Sequence, residues 1–286
     1  MTDPGHLGTA LTARLREIGP LAVAYSGGAD SALVLAAAIR ALGAAHVLAI
    51  TAVSESLASG ELALASDLAA ELSVRHLTVR TGELSRPGYR ANGRDRCYFC
   101  KSEVLDTLAA VAREQGHDRL ATGTNADDAA DPHRPGISAG RERGVYTPLL
   151  DAGLAKADVR AISRLWSLPT WNKPATPCLA SRIRYGLEVT AGRLERVDRA
   201  ETAVRALLAD AGITVTDLRV RDLGDRARIE LPAQHLSMAQ AVPGIGHALT
   251  EAGFTGSVEY AAFVSGILNS RNPEQEGTRQ AAGPDL

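Results

Sequence analysis

Ser26-Gly-Gly-Ala-Asp-Ser31 brings together the residue types that hold a chain of phosphates. Paired glycines let backbone N–H groups close around an anion with no Cβ in the way. The segment follows an apolar run, Leu21–Tyr25, and opens an alanine- and leucine-rich run, Ala32–Leu42, so it reads as strand, turn and helix. A helix N-terminus carries unpaired N–H groups and partial positive charge. Ser26 and Ser31 add hydroxyl donors. Asp30 repels bare phosphate, and makes sense where a divalent cation lies between carboxylate and phosphates. Ser26, Gly27, Gly28, Asp30 and Ser31 therefore predict a site for a nucleotide's phosphates with magnesium. The GK[ST] ending of a Walker A loop is absent. The plainer alternative is a glycine turn with Asp30 as a helix-start residue; the full six-residue match argues against it.

Three cysteines carry the second chemistry. Cys97-Tyr-Phe-Cys100 follows the polar run 92–96 and is expected as a turn just ahead of a helix over Lys101–Gln115. Cys178 lies in Thr176-Pro-Cys-Leu-Ala-Ser-Arg182, among prolines that fix a loop. A zinc site wants a fourth ligand, which one of seven histidines would have to supply. A redox dithiol would use Cys97 and Cys100 alone. An iron–sulfur cluster on three thiolates leaves one iron open to an extra sulfide. The bland alternative is three small buried apolar residues, which sits poorly with a charged loop. Arg182 and Arg184 beside Cys178 favour its thiolate and are candidates to hold an anionic substrate; a solvated charged face is the other reading of Arg184.

The elements that must position these residues alternate. Strands are expected at Leu21–Tyr25, His46–Val53, Arg75–Val79 and Arg119–Thr122, and helices at Ala32–Leu42, Gly60–Leu72, Lys101–Gln115 and Lys156–Leu168. Alternation predicts an α/β fold: a Rossmann-like parallel sheet with helices on both faces. Ligands of such sheets sit at the carboxyl ends of strands, where Ser26, Thr51–Ser54, the residues after Val79 and Gly123-Thr124-Asn125 all fall. The domain expectation is 1–186 for this unit, 187–270 for a small α+β domain and 271–286 for a disordered tail. The small domain is expected as a long helix to about Ala211, strands at Asp217–Leu223 and Arg226–Glu230, a helix near Gly246–Ala252 and a strand near Ser257–Phe263.

Composition bounds the function. Over 286 residues, 45% hydrophobic content supports a core, and a net charge of −2 gives no electrostatic case for nucleic acid or membrane. No apolar run reaches the length of a membrane span, and the start lacks a signal-peptide layout. A cytoplasmic protein with reduced thiols is expected.

The six-residue loop resembles the PP-loop of the ATP pyrophosphatase superfamily. Across Leu21 to about Asn269 the chain resembles the LarE family, ATP-dependent sulfurtransferases that make the nickel-pincer nucleotide cofactor. The resemblance rests on SGGADS (26–31), DRCYFCK (95–101), GTNADD (123–128), RPG (134–136), TPL (147–149), WNKPATPCLASRI (171–183), RVR (219–221) and ARIEL (227–231). It implies ATP-driven adenylylation of a carboxylate of pyridinium-3,5-biscarboxylic acid mononucleotide, then displacement of AMP by sulfur. In one branch a cysteine aligned with Cys178 gives up its own sulfur and becomes dehydroalanine. In another, three cysteines resembling Cys97, Cys100 and Cys178 hold a [4Fe–4S] cluster, and this chain has those three and no others. The resemblance further implies that Gly123, Thr124 and Asn125 face the nucleotide, that Arg219 and Arg221 hold the substrate's phosphate, and that the chain assembles as trimers or hexamers. Arg219 and Arg221, two apart, point to one face of a strand. Asp127, Asp128 and Glu201 are open between metal-binding and helix-surface roles. Val258-Glu-Tyr-Ala261 departs from the acidic pattern of the family.

Two other functions compete. A tRNA thiolase also pairs a PP-loop with cluster cysteines, but the slightly acidic charge and the absence of an RNA-binding extension argue against it. A non-catalytic ATP-binding regulator leaves Cys178 and its arginines without a task.

Overall fold

The computed structural model describes residues 3–130 and 135–264. Helix α1 (Pro4–Ile18) starts where the Asp3 carboxylate accepts the His6 N–H at 3.0 Å, and stops at Gly19 with φ +79°. Its buried Leu11, Leu15 and Ile18 mark one helical face, yet the sequence reading above passes over this helix.

The chain continues through β1 (Leu21–Ala24), α2 (Ala29–Leu42), β2 (Val47–Val53), α3 (Glu61–Glu71) and β3 (Arg75–Arg80). Then come α4 (Pro87–Arg90), α5 (Arg96–Glu114), β4 (Leu120–Ala121), α6 (Ala126–Ala130), α7 (Pro135–Glu142), α8 (Pro148–Asp151) and α9 (Lys156–Leu165). The four strands are parallel in the order β3-β2-β1-β4, with Val23 opposite Ala49 on one side and Ala121 on the other. Parallel neighbours need crossover connections, which put helices on the sheet's faces. Strand alternation divides the core. Leu21, Val23, Val47 and Ala49 pack with α1, α2 and α9, while Ala22, Leu48 and Ile50 meet Leu105, Leu108 and Ala112 of α5. Every residue from Ala32 to Ala38 is buried, so α2 is a central helix, and its small alanines let neighbours close on all sides. This is the expected α/β class.

The second sheet is built by β5 (Arg219–Asp222), β6 (Ala227–Leu231) and β7 (Val258–Ala262), in the order β5-β6-β7, antiparallel then parallel. It packs with α10 (Ala191–Asp210), α11 (Leu236–Ala241) and α12 (Ile245–Ala252) around Val197, Val204, Val220, Ile229 and Phe254. That core also takes in Tyr89, Leu179, Ala180 and Ile183, so the loops flanking the cysteines are anchored on it. No helix among the described residues is long and apolar enough to cross a membrane. The expected tail, 271–286, lies outside the described residues, as does Arg134 of the RPG string.

One expectation is corrected. The CxxC pair is not a turn ahead of a helix: α5 begins at Arg96 and holds both cysteines near its start. Contacts of the first residue's side chain, one of them from far along the chain, hold the early start. The Arg96 side chain donates to Asn92 Oδ1 at 2.5 Å and to the Ala180 carbonyl at 2.8 Å, fixing the helix entry from outside the helix.

Candidate active site

The loop after β1 has its shape for steric reasons. Gly27 has φ +72°, and a Cβ there would stand 2.9 Å from the Cβ of Ala65 on α3. Both the backbone and the space demand glycine. Gly28 occupies the N-cap of α2 with no side chain capping it, which leaves the helix's first N–H groups to the loop. Ser31 braces the turn from behind: its Oγ accepts the Ser26 N–H at 3.2 Å and donates to the Gly28 carbonyl at 3.1 Å. Ser31 is buried and Ser26 exposed.

Asp30, in the first turn of α2, accepts from Asn125 Nδ2 at 3.1 Å. Asn125 is buried, and its Oδ1 accepts the Asp128 N–H at 2.9 Å. A Cβ on Gly123 would lie 2.7 Å from the Ser31 nitrogen, so glycine lets the end of β4 press on α2. Thr124 sits between them, its hydroxyl 3.1 Å from that of Thr122. Gly123, Thr124 and Asn125 thus stand behind the phosphate-type loop and aim Asp30.

In front lies a cavity of about 340 Å³, within the usual range for small-molecule sites. Ser26, Gly28 and Asp30 line it, and so do Cys100 and Cys178. Lys173 reaches the loop after β1: its Nζ donates to the Gly27 carbonyl at 3.1 Å and pairs with Glu61 at 2.9 Å. It lies on the same loop as Cys178. That loop is pinned again where the Leu179 N–H meets the Ser56 carbonyl at 2.8 Å and the Ser56 hydroxyl bonds to Tyr89. Asn92, fully buried, donates to the carbonyls of Arg184 and Leu187 at 2.9 and 2.8 Å.

The three predicted substrate arginines gather, but differ in availability. Arg182 pairs with Glu201 at 2.8 Å and donates to the Pro177 carbonyl at 2.5 Å and the Ser181 hydroxyl at 3.1 Å. Arg221 pairs with Glu230 at 2.8 Å and donates to the Ser181 carbonyl at 2.6 Å. Both are 3% exposed, so both guanidinium groups are engaged within the protein. Arg219 has no carboxylate partner among the described residues; it stacks on Phe263 at 4.3 Å. Burial, then the charges of Arg182 and Arg221, pull its pKa down to about 10. A guanidinium so crowded by like charge favours an arriving anion. None of the three lines the cavity.

The open acidic residues have structural partners. Glu201 holds Arg182 and accepts the Val220 N–H at 3.0 Å. Asp127 accepts the Lys156 N–H at 2.8 Å. Glu259 of β7 pairs with Arg226 and Arg228.

No protein-family model matches the chain. An uncharacterized protein of Synechocystis is 45% identical to it over 220 residues, 77% of this chain and 79% of that protein. The pyridinium-3,5-bisthiocarboxylic acid mononucleotide synthase of Lactiplantibacillus plantarum is 35% identical over 222 residues, 78% of each chain. The chain belongs to the LarE family. It is an enzyme, a sulfurtransferase.

In this LarE-family chain none of the three cysteines is joined in a disulfide. Cys97 and Cys100 lie one helical turn apart on α5; Cys97 stands outside the cavity wall. Among the described residues no three His, Cys, Asp or Glu side chains come close enough to hold a single metal ion, so the zinc alternative has no ligand set there. A cubane spreads its ligands more widely than one ion does. Its fit rests on the donor chemistry: three thiols whose charges act on one another, beside a buried cation. That cation is Arg96, 4% exposed, with neutral acceptors and no carboxylate partner among the described residues. Burial alone would lower its pKa, but the charges of Cys178 and Cys97 hold it above the ordinary guanidinium value. Burial, then Cys178, pushes the Cys100 thiol well up, so a metal binding there must release its proton. The residues fit an anionic thiolate-held group.

Lys173, Arg96 and Glu83 are site residues the sequence reading did not single out. The first two lie inside the quoted strings WNKPATPCLASRI and DRCYFCK, and a cation beside a cysteine was their signal. Glu83 belongs to no motif.

Proposed function

We propose that this chain is an ATP-dependent sulfurtransferase that adenylylates a carboxylate of pyridinium-3,5-biscarboxylic acid mononucleotide and exchanges the AMP for sulfur. Sulfur transfer in nickel-pincer cofactor biosynthesis follows from the family. The finer reading is carried by one observation: the nucleotide-type loop and the thiols of Cys100 and Cys178 open onto one cavity.

A carboxylate resists attack because its oxygen is a poor leaving group. Activation solves this. A carboxylate oxygen attacks the α-phosphorus of ATP, the bond to the bridging oxygen breaks, and pyrophosphate leaves. The N–H groups at the start of α2 and the Ser26 hydroxyl face the phosphates. Asp30, aimed by Asn125, would hold magnesium, which neutralises the departing pyrophosphate. A sulfur nucleophile then attacks the acyl carbon and the C–O bond to AMP breaks. Cys97, Cys100 and Cys178 would hold a [4Fe–4S] cluster, which when bound supplies an iron without a protein ligand for inorganic sulfide. The mononucleotide phosphate is assigned to Arg219, with Arg182 and Arg221 supplying the positive surroundings. Assembly as trimers or hexamers belongs to the same reading.

The test is product analysis with α-labelled ATP. AMP and pyrophosphate should form only when the mononucleotide is present, and a product heavier by the exchange of oxygen for sulfur should follow. ADP and orthophosphate, or AMP formed without the mononucleotide, would sink the assignment.

A further inference from the structure

We infer that Glu83 is the residue that selects a positively charged ring in the substrate, a role that rests on the pyridinium mononucleotide reading above. Glu83 lines the cavity together with Cys100 and Cys178, and is 4% exposed. One carboxylate oxygen accepts from the Ser54 hydroxyl at 3.1 Å; the other, fully buried, has no hydrogen-bond partner among the described residues. No Lys, Arg or His pairs with it there, although Lys101 lines the same cavity.

A buried carboxylate left in this state is costly unless a cation answers it. The other cavity acids have tasks. Glu61 is paired with Lys173, and Asp30 lies in the first turn of α2.

A pyridinium is the cation that suits this vacancy of charge. Its nitrogen carries no N–H, so it needs no hydrogen-bond geometry. It needs a carboxylate whose charge is not drawn off by donors, held within a few ångströms in a poorly solvated wall. Seated beside Glu83, the ring would bring its carboxyl carbon toward the thiols of the cavity. Ring recognition and sulfur attack would then share one place.

The experiment compares two ligands by calorimetry without ATP. One is the pyridinium-3,5-biscarboxylic acid mononucleotide. The other is its isophthalate C-ribonucleotide, the same shape with carbon in place of the ring nitrogen. Wild type should prefer the pyridinium roughly tenfold, the effect of about one charge pair in a partly dry cavity. Glu83→Gln should abolish that preference while leaving the neutral ligand's affinity and the ATP affinity unchanged. Glu83→Asp, which restores the charge, should restore the preference, and circular dichroism checks that both variants fold. Equal losses for both ligands in Glu83→Gln would make Glu83 a structural residue and overturn the inference. If wild type bound neither mononucleotide while still binding ATP, the substrate reading itself would fall, and this inference with it.

Discussion

Arg96 donates through its guanidinium to the carbonyl oxygen of Ala180 at 2.8 Å. The two residues come from opposite walls of the site. Arg96 opens the helix that carries Cys97 and Cys100, and Ala180 lies inside the short turn, Leu179–Arg182, that Cys178 caps. Asn92 completes the tie by accepting from Arg96 and donating to three carbonyls beyond the turn, those of Ile183, Arg184 and Leu187. The relative placement of the three thiols therefore depends on one buried cation.

Arg96→Met should loosen that placement while keeping most of the buried stem. Leaving the Ala180 carbonyl and the Asn92 amide oxygen unpaired costs about 1–3 kcal/mol each, so the melting temperature should fall. Iron bound per chain after anaerobic reconstitution should fall with it, although all three cysteines remain. Unchanged iron content in a destabilised variant would separate the tie from metal binding.

Asp30→Asn keeps the shape and the Asn125 contact region but removes the charge proposed to hold magnesium. Pyrophosphate release should drop roughly a hundredfold or more, with little change in stability, because Asp30 is only partly buried. Asn125→Ala should give a milder loss, since it removes one of the contacts that aim Asp30 without discharging it. A pyrophosphate assay across a magnesium titration checks both. A magnesium midpoint that shifts upward in Asp30→Asn would mark a weakened metal site, and a loss with the midpoint unshifted would place the metal elsewhere.

The alternation of strands and helices was legible because each strand is a short apolar run bounded by turns, and β1 and β2 end within a residue of expectation. The PP-loop was legible for the same local reason: its glycines, serines and aspartate act on their own neighbours. What could not be read depends on partners far along the chain. Arg182 and Arg221 look like ligand-facing cations in sequence. Only the fold brings Glu201 and Glu230 against them and turns them inward. The early start of α5 has the same origin, because Cys, Tyr and Phe are indifferent helix formers and the contacts that begin the helix come from Asn92 and Ala180. Glu201 was open between metal and surface roles; its burial against Arg182 excludes a surface position.

Arg219 and Arg221 should part company on mutation. Arg219→Ala is expected to raise the KM for the mononucleotide roughly tenfold or more, with the KM for ATP and the melting temperature little changed. Arg221→Ala strands Glu230 in the core and should cost about 3–5 kcal/mol of stability, seen as a fall in the urea midpoint before any kinetic effect. The reverse pattern, a stable Arg221→Ala enzyme with weakened substrate binding, would return the phosphate site to Arg221.

The last prediction treats Cys97, Cys100 and Cys178 as a unit. If they hold a cluster, any single Cys→Ala variant should lose iron and most turnover, and anaerobic wild type supplied with sulfide should transfer more than one sulfur per chain. Sacrificial donation predicts a different pattern. Cys178→Ala would be dead, while Cys97→Ala and Cys100→Ala would stay active. Wild type would lose about one H₂S, roughly 34 Da, from position 178, as a Cys178 thioester breaks its own Cβ–S bond and keeps the carbon as dehydroalanine. The structure gives each route a hold: Cys178 alone would suffice at the cavity, but Cys97 stands outside its wall and shares the field of Arg96 with Cys178. A sacrificial mechanism has no task for Cys97. Intact-mass spectrometry after one cycle, on iron-replete protein, decides the matter: an unchanged mass with more than one turnover supports the cluster, and dehydroalanine at position 178 overturns it while leaving the family and the adenylylation chemistry in place.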